Sequence, residues 1–102
     1  MPHEVWDMAS FSTEIDLHIE CLVDDPSAYP TNKILALQLR HFEDYMDRAI
    51  RLGVDRVFII HGLGEGKLRQ AIHNRLREME AVKSFENAYH PLYGHGATEV
   101  LF

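Results

Sequence analysis

The sequence predicts an α/β fold in which a mixed four-stranded sheet carries two helices on one face. Two stretches of helical periodicity separate strand-like runs, so the elements follow in the order β-α-β-α-β-β. Strands connected through a helix favour parallel pairing with a right-handed crossover, whereas the last two strands are joined by a short turn and should be antiparallel. Packing both helices on one face gives a two-layer α/β sandwich.

The first half of the chain contains the first strand and the longer helix. Glu14 to Glu20 alternates apolar and polar residues, which is typical of a half-buried strand. A helical stripe then continues to Leu52, and either Thr31 or Asn32 can cap its start. Gly53 is suited to end that helix in the left-handed conformation.

The second half contains three strands and the second helix. Val54 to Ile60 is almost continuously apolar after its third residue, which indicates a central strand. A glycine-rich turn follows, and the stripe from Leu68 to Met79 predicts a helix. Ser84 to His90 and Ala97 to Phe102 are expected to be strands, joined by a turn over Pro91 to Gly96.

Length and composition indicate one domain. The 102 residues suffice for a packed core, and we assign residues 14–102 to the domain and residues 1–13 to an arm or linker, expecting the chain to be part of a larger polypeptide. The net charge of −6 weighs against non-specific binding along a nucleic-acid backbone. A single cysteine and the lack of a long apolar run predict a cytoplasmic protein without a membrane partner.

The glycine-rich turn after the second strand is the first candidate site. Backbone N–H groups at the start of a helix suit an anion such as phosphate. The turn matches neither phosphate-loop motif, because Leu68 follows Gly66-Lys67 and because the lysine occupies the third glycine position of the dinucleotide motif. A simple strand-to-helix turn that needs positive φ is the alternative. The candidate phosphate ligands here are Gly62, Gly64, Gly66, Lys67 and Arg69.

Asp16, His18 and His61 are the candidate catalytic residues. The first two lie roughly 7 Å apart on one strand face. If the first two strands are parallel neighbours, their carboxyl ends meet at one rim and bring the histidines together. This cluster could perform acid–base chemistry on a phosphodiester or hold a metal, and an exposed polar edge without function is the alternative.

Three motifs together resemble a known family, the small MutS-related (Smr) domain. Its signatures are a D-L-H-G strand end, an H-G-x-G turn with L-R in the next helix, and a G-x-G-A-T-x-V terminal segment. The matching residues are Asp16-Leu17-His18, His61-Gly62-Leu63-Gly64-Glu65-Gly66 with Leu68-Arg69, and Gly94-His95-Gly96-Ala97-Thr98-Glu99-Val100.

The resemblance implies a fold similar to the C-terminal domain of a bacterial translation initiation factor. It implies binding of DNA or RNA, endonuclease activity in several members, and a link to the mismatch repair and recombination proteins of the MutS2 type. By motif, it adds His95, Gly96 and Thr98 to the candidate nucleic-acid ligands. Ile19 replaces the family's glycine, which favours the alternative of a non-catalytic binding or adaptor module. Metal dependence stays open, with Mg²⁺ or Mn²⁺ as the ions to test.

Overall fold

A computed structural model describes residues 10–92 and 94–102, which form one four-stranded sheet with helices. The strands are β1 (Glu14–Asp16), β2 (Arg56–Ile60), β3 (Ser84–His90) and β4 (Gly94–Leu101). The helices are α1 (Ile19–Leu22), α2 (Thr31–Leu52) and α3 (Lys67–Glu78), and a 3₁₀ turn spans Pro26–Ala28.

The sheet has the order β1-β2-β4-β3. β1 pairs with β2 in parallel, and β4 is antiparallel to both β2 and β3. This is the mixed sheet that the element order predicts, and the α/β fold class is confirmed. The one-turn helix α1 and the 3₁₀ turn are additions that no periodicity could reveal, because each is shorter than two helical turns.

Both long helices pack on the same side of the sheet. The core residues of β2 and β4 share one face because side chains alternate along a strand. The fully or almost fully buried cluster consists of Leu17, Phe42, Met46, Ala49, Val57, Ile59, Ile72, Leu76 and Val100. Since α2 and α3 both contribute to this cluster, the molecule is the two-layer sandwich that the sequence predicts.

The first strand is shorter than the alternation of residues 14–20 predicts. β1 ends at Asp16, whose side-chain Oδ1 accepts a hydrogen bond from the His18 backbone N–H at 2.9 Å. An Asp side chain that bonds a backbone N–H two residues further on stabilises a turn at this point. The chain then turns into α1 at Ile19 instead of extending the strand to Glu20.

The ends of α2 agree with the prediction at one terminus only. Gly53 ends the helix in the left-handed conformation at φ 73°, and its N–H donates to the carbonyl oxygens of Ala49 and Ile50. The predicted cap of Thr31 or Asn32 is wrong, because Pro30 occupies the N-cap position and no side chain caps the helix. Proline presets its own φ and fits this position without a side-chain acceptor.

Two regions of the prediction fall partly outside the described residues. Residues 1–9 of the predicted arm are outside them, whereas the Thr13 carbonyl accepts a hydrogen bond from the Phe58 N–H at 2.8 Å and so joins the sheet edge. The predicted turn over residues 91–96 is shorter, since β4 begins at Gly94. In the described part of the chain, no helix has the length and hydrophobicity needed to cross a bilayer.

We predict that Phe42→Ala lowers the free energy of unfolding by about 3–5 kcal/mol, because it empties a fully buried position. Ile50→Ala on the same helix, where the side chain is 38% exposed, should cost roughly 1 kcal/mol or less. Urea denaturation of both variants measures the difference. Equal losses would show that the core is not organised around this face of α2.

Candidate functional site

The carboxyl ends of β1 and β2 lie side by side, as the predicted parallel pairing requires. Asp16 is in register with Ile60, and the N–H of Leu17 donates to the Ile60 carbonyl at 2.8 Å. The glycine turn, defined as residues 61–66, starts at the next position of β2. The end of β1 and the glycine turn therefore share one rim of the sheet.

Asp16 and His18 form a carboxylate–imidazole pair at this rim. Asp16 Oδ1 lies 2.6 Å from His18 Nδ1, and the same oxygen accepts from the His18 backbone N–H. Because an ionised carboxylate only accepts hydrogen bonds, Nδ1 carries the proton of the neutral ring. The tautomer is thereby fixed, and Nε2 is the ring nitrogen with the lone pair.

The ring of His18 packs directly against the backbone of Gly62. A Cβ placed on Gly62 would lie 2.9 Å from His18 Nε2, and the residue has φ +81°. The left-handed backbone disfavours a side chain at this position, and the close approach means that a Cβ there would displace the His18 ring. The imidazole of His18, two residues after the end of β1, therefore lies against the glycine turn, so the fold brings these two parts of the chain together.

His61 is placed differently from the sequence-based expectation. It is only 7% exposed, so it does not stand at the mouth of the site. Its Nδ1 lies 2.8 Å from the Gly62 carbonyl oxygen and its Nε2 lies 2.8 Å from Thr98 Oγ1. Both ring nitrogens thus have protein partners, and the ring links the glycine turn to β4.

Thr98 is also buried rather than surface-exposed, with no accessible area. Its hydroxyl contacts His61 Nε2 and His73 Nε2, both at 2.8 Å, and lies 3.3 Å from Asn87 Oδ1. A group with this burial cannot contact a nucleic acid directly. Its position at the centre of three polar side chains makes it a bridge between β4, β3 and α3.

Hydrogen-bond chemistry assigns the protons of this buried network. The Gly62 carbonyl can only accept, so His61 Nδ1 donates to it and the neutral ring accepts at Nε2. Thr98 then donates its single proton to His61 and accepts from His73 Nε2–H. Protonation of His61 would reverse its bond with Thr98, and the hydroxyl would turn its proton to Asn87.

The environment favours the neutral form of both histidines in the network, the buried His61 and the partly buried His73. Burial lowers the pKa of His61 below its usual 6.5, and the charges of Arg69 and His18 add to that effect. Burial likewise lowers the pKa of His73, followed by the charges of His61, Arg77 and Arg69. The neutral network described above is therefore the form present at pH 7.

The backbone of the glycine turn offers fewer N–H groups to an anion than its composition suggests. The N–H groups of His61 and Gly62 both donate to the buried Gly96 carbonyl at 2.9 Å. Gly66 is the N-cap of α3 at φ 82°, and no side chain caps the helix. The N–H groups of the first turn of α3, which directly follows the glycine turn, have no intrahelical acceptor.

The other predicted ligands are spread over the rim and β4. Lys67 is exposed and its Nζ lies 3.4 Å from Glu65 Oε2, a contact that contributes little at such exposure. The Arg69 guanidinium lies beside Gly66, 3.3 Å from where a Cβ would be. His95 is exposed on β4, where its ring packs edge-on against Tyr89 with centroids 5.5 Å apart.

Two concave surfaces flank the turn. An apolar cleft of about 650 Å³ lies between the turn and the start of α2, and a polar groove of about 370 Å³ runs along α3. Within residues 10–92 and 94–102, no three His, Cys, Asp or Glu side chains converge in a way that could hold a metal ion. A Mg²⁺ ion held by one carboxylate and substrate phosphates would not need such a group.

Sequence reasoning missed the partly buried His73 and the exposed Asn87, which both contact the buried Thr98 hydroxyl. His73 follows the buried Ile72 on α3 and tilts against the Phe85 ring, with centroids 4.9 Å apart. Asn87 is directly opposite Thr98 in the pairing of β3 with β4. The strand register could have suggested Asn87, but no spacing rule connects a helix residue to a particular strand residue.

We predict that Gly62→Ala displaces the His18 ring and Gly64→Ala does not. Both positions have positive φ, so each substitution costs about 1–2 kcal/mol of backbone strain. Only the methyl group at Gly62 meets another side chain, whereas Gly64 has nothing within 4 Å. NMR chemical shifts of the His18 imidazole measure the displacement, and equal shifts in both variants would contradict the contact.

We predict that the protein loses stability as the pH falls below about 6.5. The unfolded chain binds protons on its histidines near that pH, whereas the folded chain resists protonation of His61 and His73. The unfolded state then binds more protons, so acidification lowers the free energy of unfolding until the depressed folded pKa values are reached.

Urea denaturation at about pH 7.5 and pH 5.5 measures this loss of stability. His73→Gln keeps a donor for Thr98 and should weaken the pH dependence. His41→Gln on α2 lies outside the network and should leave it intact. A pH dependence unaffected by His73→Gln would contradict the network.

Comparison with known proteins shows which family this chain belongs to. A sequence model of the Smr domain matches residues 38–102. Proteins named Endonuclease MutS2 are similar to this chain, including those of Thermomicrobium roseum, 47% identical over 62 residues, and Pelotomaculum thermopropionicum, 45% identical over 62 residues. In both cases the match covers 61% of this chain but 8% of the relative.

Solved structures extend the similarity to the first strand. The Smr domain of Thermus thermophilus MutS2 superposes with a TM-score of 0.64 at 34% identity, covering 86% of this chain and 94% of that one. YdaL, a stand-alone small MutS-related protein from Escherichia coli, shares the fold, with a TM-score of 0.62 at 20% identity. This match covers 99% of the present chain and 66% of the YdaL chain. With a family match over more than half of its length, the chain belongs to the Smr domain family.

Proposed function

We propose that this domain binds a strand of DNA or RNA and cleaves its phosphodiester backbone at the rim formed by β1 and the glycine turn. The observation that carries the proposal is the Asp16–His18 pair, whose ring lies against Gly62. A carboxylate that fixes an imidazole tautomer beside an anion-binding turn has the arrangement of a general base with its orienting group. Relatives that are named endonucleases support the same chemistry.

His18 is the residue that moves the proton in this proposal. Its Nε2 takes the proton from the attacking hydroxyl group, which is a water molecule or, on RNA, the 2′-hydroxyl. Asp16 holds the ring in the required tautomer and stabilises the imidazolium that forms. The same ring then returns the proton to the leaving oxygen, either directly or through water.

The glycine turn and α3 supply the electrostatic part of the reaction. The N–H groups of the first turn of α3, with the Arg69 guanidinium beside Gly66, stabilise the charge that develops on the phosphate oxygens. His61 acts as a positioning residue, because its two nitrogens hold the Gly62 carbonyl and Thr98. Thr98 and Gly96 support the turn from within, and Lys67 contributes charge at the exposed edge.

We predict that His18→Ala lowers cleavage by about 10²–10⁴-fold, the usual contribution of a general base. Asp16→Asn should also lower it, because an amide does not stabilise the charged ring. Nicking of supercoiled plasmid and cleavage of a structured RNA are measured with and without Mg²⁺ or Mn²⁺. His41→Ala on α2, purified in the same way, is the control for contaminating nucleases.

Binding is measured in parallel by fluorescence anisotropy at low salt. Binding that survives His18→Ala while cleavage is lost would separate the two roles as proposed. Cleavage that is unchanged in both site variants would contradict the role of the pair.

A non-catalytic binding or adaptor module is the second candidate, and Ile19 is the observation that favours it. This residue stands where the family motif has glycine, and it begins α1 immediately beside the catalytic candidate His18. A bulky side chain there restricts how closely a phosphate approaches the backbone. Binding without cleavage by the unmodified protein, under all metal conditions, would support this second function.

A further inference from the structure

The polar groove along α3 begins at the end of the glycine turn. Residues three and four positions apart on a helix share one face. The α3 groove, as we define it, is lined by Gly66, Arg69, Gln70, His73, Asn74 and Arg77, with Glu65 at its mouth. Its first part is continuous with the proposed phosphate site, because the Arg69 guanidinium lies beside Gly66.

The groove has the opposite charge to the molecule as a whole. The chain carries a net charge of −6, yet the described residues that line the groove include two arginines and one carboxylate. That carboxylate, Glu65, is also in contact with Lys67. A concentration of guanidinium groups on an acidic protein is a local attraction for a polyanion.

The two groove arginines differ from Arg56 and Arg75, each of which is paired with a carboxylate. Within residues 10–92 and 94–102, ion pairs join Arg75 to Glu43 and Arg56 to Glu99, and none joins Arg69 or Arg77 to a carboxylate. Charges that are not neutralised by the protein itself remain available to a ligand.

Arg77 is held in place by neutral groups. Its Nη1 donates to Asn74 Oδ1 at 2.8 Å, and its guanidinium lies 5.7 Å from the centroid of the Phe85 ring. A guanidinium fixed in this way loses less conformational freedom on binding and keeps further N–H groups for phosphate oxygens.

We propose that the α3 groove holds the sugar–phosphate backbone of the strand on one side of the reacting phosphate, with Arg77 contacting a flanking phosphate. Eight residues separate Arg69 from Arg77, which is about 12 Å along the helix axis. At 3.4 Å of rise per nucleotide, that length corresponds to roughly three or four nucleotides. This inference rests on the proposed function and adds the course of the bound strand to it.

The test compares two arginines of the same helix. Arg77→Gln removes a groove charge, and Arg75→Gln removes a charge that is paired with Glu43 outside the groove. The probes are fluorescent single-stranded DNA and RNA of about 12 nucleotides, and short probes of about two nucleotides that do not reach the end of the groove. Anisotropy is measured over a range of salt concentrations, and urea denaturation verifies that each variant is folded.

The proposal expects Arg77→Gln to weaken binding of the long probe by roughly tenfold, the low end for a hydrogen bond with a charged group. The slope of log affinity against log salt should fall by about 0.7, the value for one phosphate contact on a single strand. Binding of the short probe should not change. Arg77→Lys should retain the salt slope, and Arg75→Gln should behave as the unmodified protein.

Two results would overturn the proposal, and they are distinguishable. If the protein binds the long probe but Arg77→Gln and Arg75→Gln have the same affinity and salt slope, the strand does not follow α3, while the proposed function stands. If the unmodified protein binds neither DNA nor RNA at low salt, the groove and the proposed function fail together. A difference between the DNA and RNA probes identifies which backbone the groove prefers.

Discussion

The hydroxyl of Thr98 is the interaction on which the geometry of the site depends. It has no contact with solvent and lies 2.8 Å from imidazole nitrogens of His61 and His73, which come from the end of β2 and from α3. Since the ring of His61 also holds the Gly62 carbonyl, one hydroxyl group connects β4, the glycine turn and the helix that follows. A hydroxyl has a single proton, so the donor directions in this network are interdependent, and a partly satisfied network would be costly in a buried place.

This architecture separates the groups that support the rim from the groups that face a ligand. His61 and Gly96 support the rim from within. The His61 ring hydrogen-bonds to the Gly62 carbonyl and to Thr98 on β4, and the Gly96 carbonyl accepts from the N–H groups of residues 61 and 62. His18, less buried and oriented by Asp16, is the imidazole placed at the surface of the turn. A histidine that begins a signature motif is therefore not necessarily the one that reacts, because burial and partner atoms decide which ring can exchange a proton with a substrate.

The sequence predicts the framework of this rim because the framework depends on local patterns. The stripe of α2, the left-handed Gly53, the apolar β2 and the parallel pairing with β1 all follow from periodicity, glycine and connection length. The exact end of β1 does not, because it depends on a turn in which the Asp16 carboxylate accepts from the His18 N–H. The burial of Thr98 and the participation of His73 depend on how α3 crosses the sheet, and that crossing is set by packing rather than by any one residue type.

The similarity to known proteins is uneven along the chain, and this bears on how binding and cleavage are related. The family match over residues 38–102 contains the glycine turn, the buried network and the α3 groove, whereas the Asp16–His18 pair lies before it. β1 has only three residues and holds its place through parallel pairing with β2 and the contact of His18 with Gly62. Under the proposed function, binding therefore depends on the larger, strongly packed part of the domain. Cleavage depends on His18, which lies just after the short strand β1 and whose ring packs against Gly62, a residue without a side chain. On the proposed function, such a domain keeps its affinity for a nucleic-acid strand when the pair is altered, and Gly62 is the point where the His18 ring meets the glycine turn.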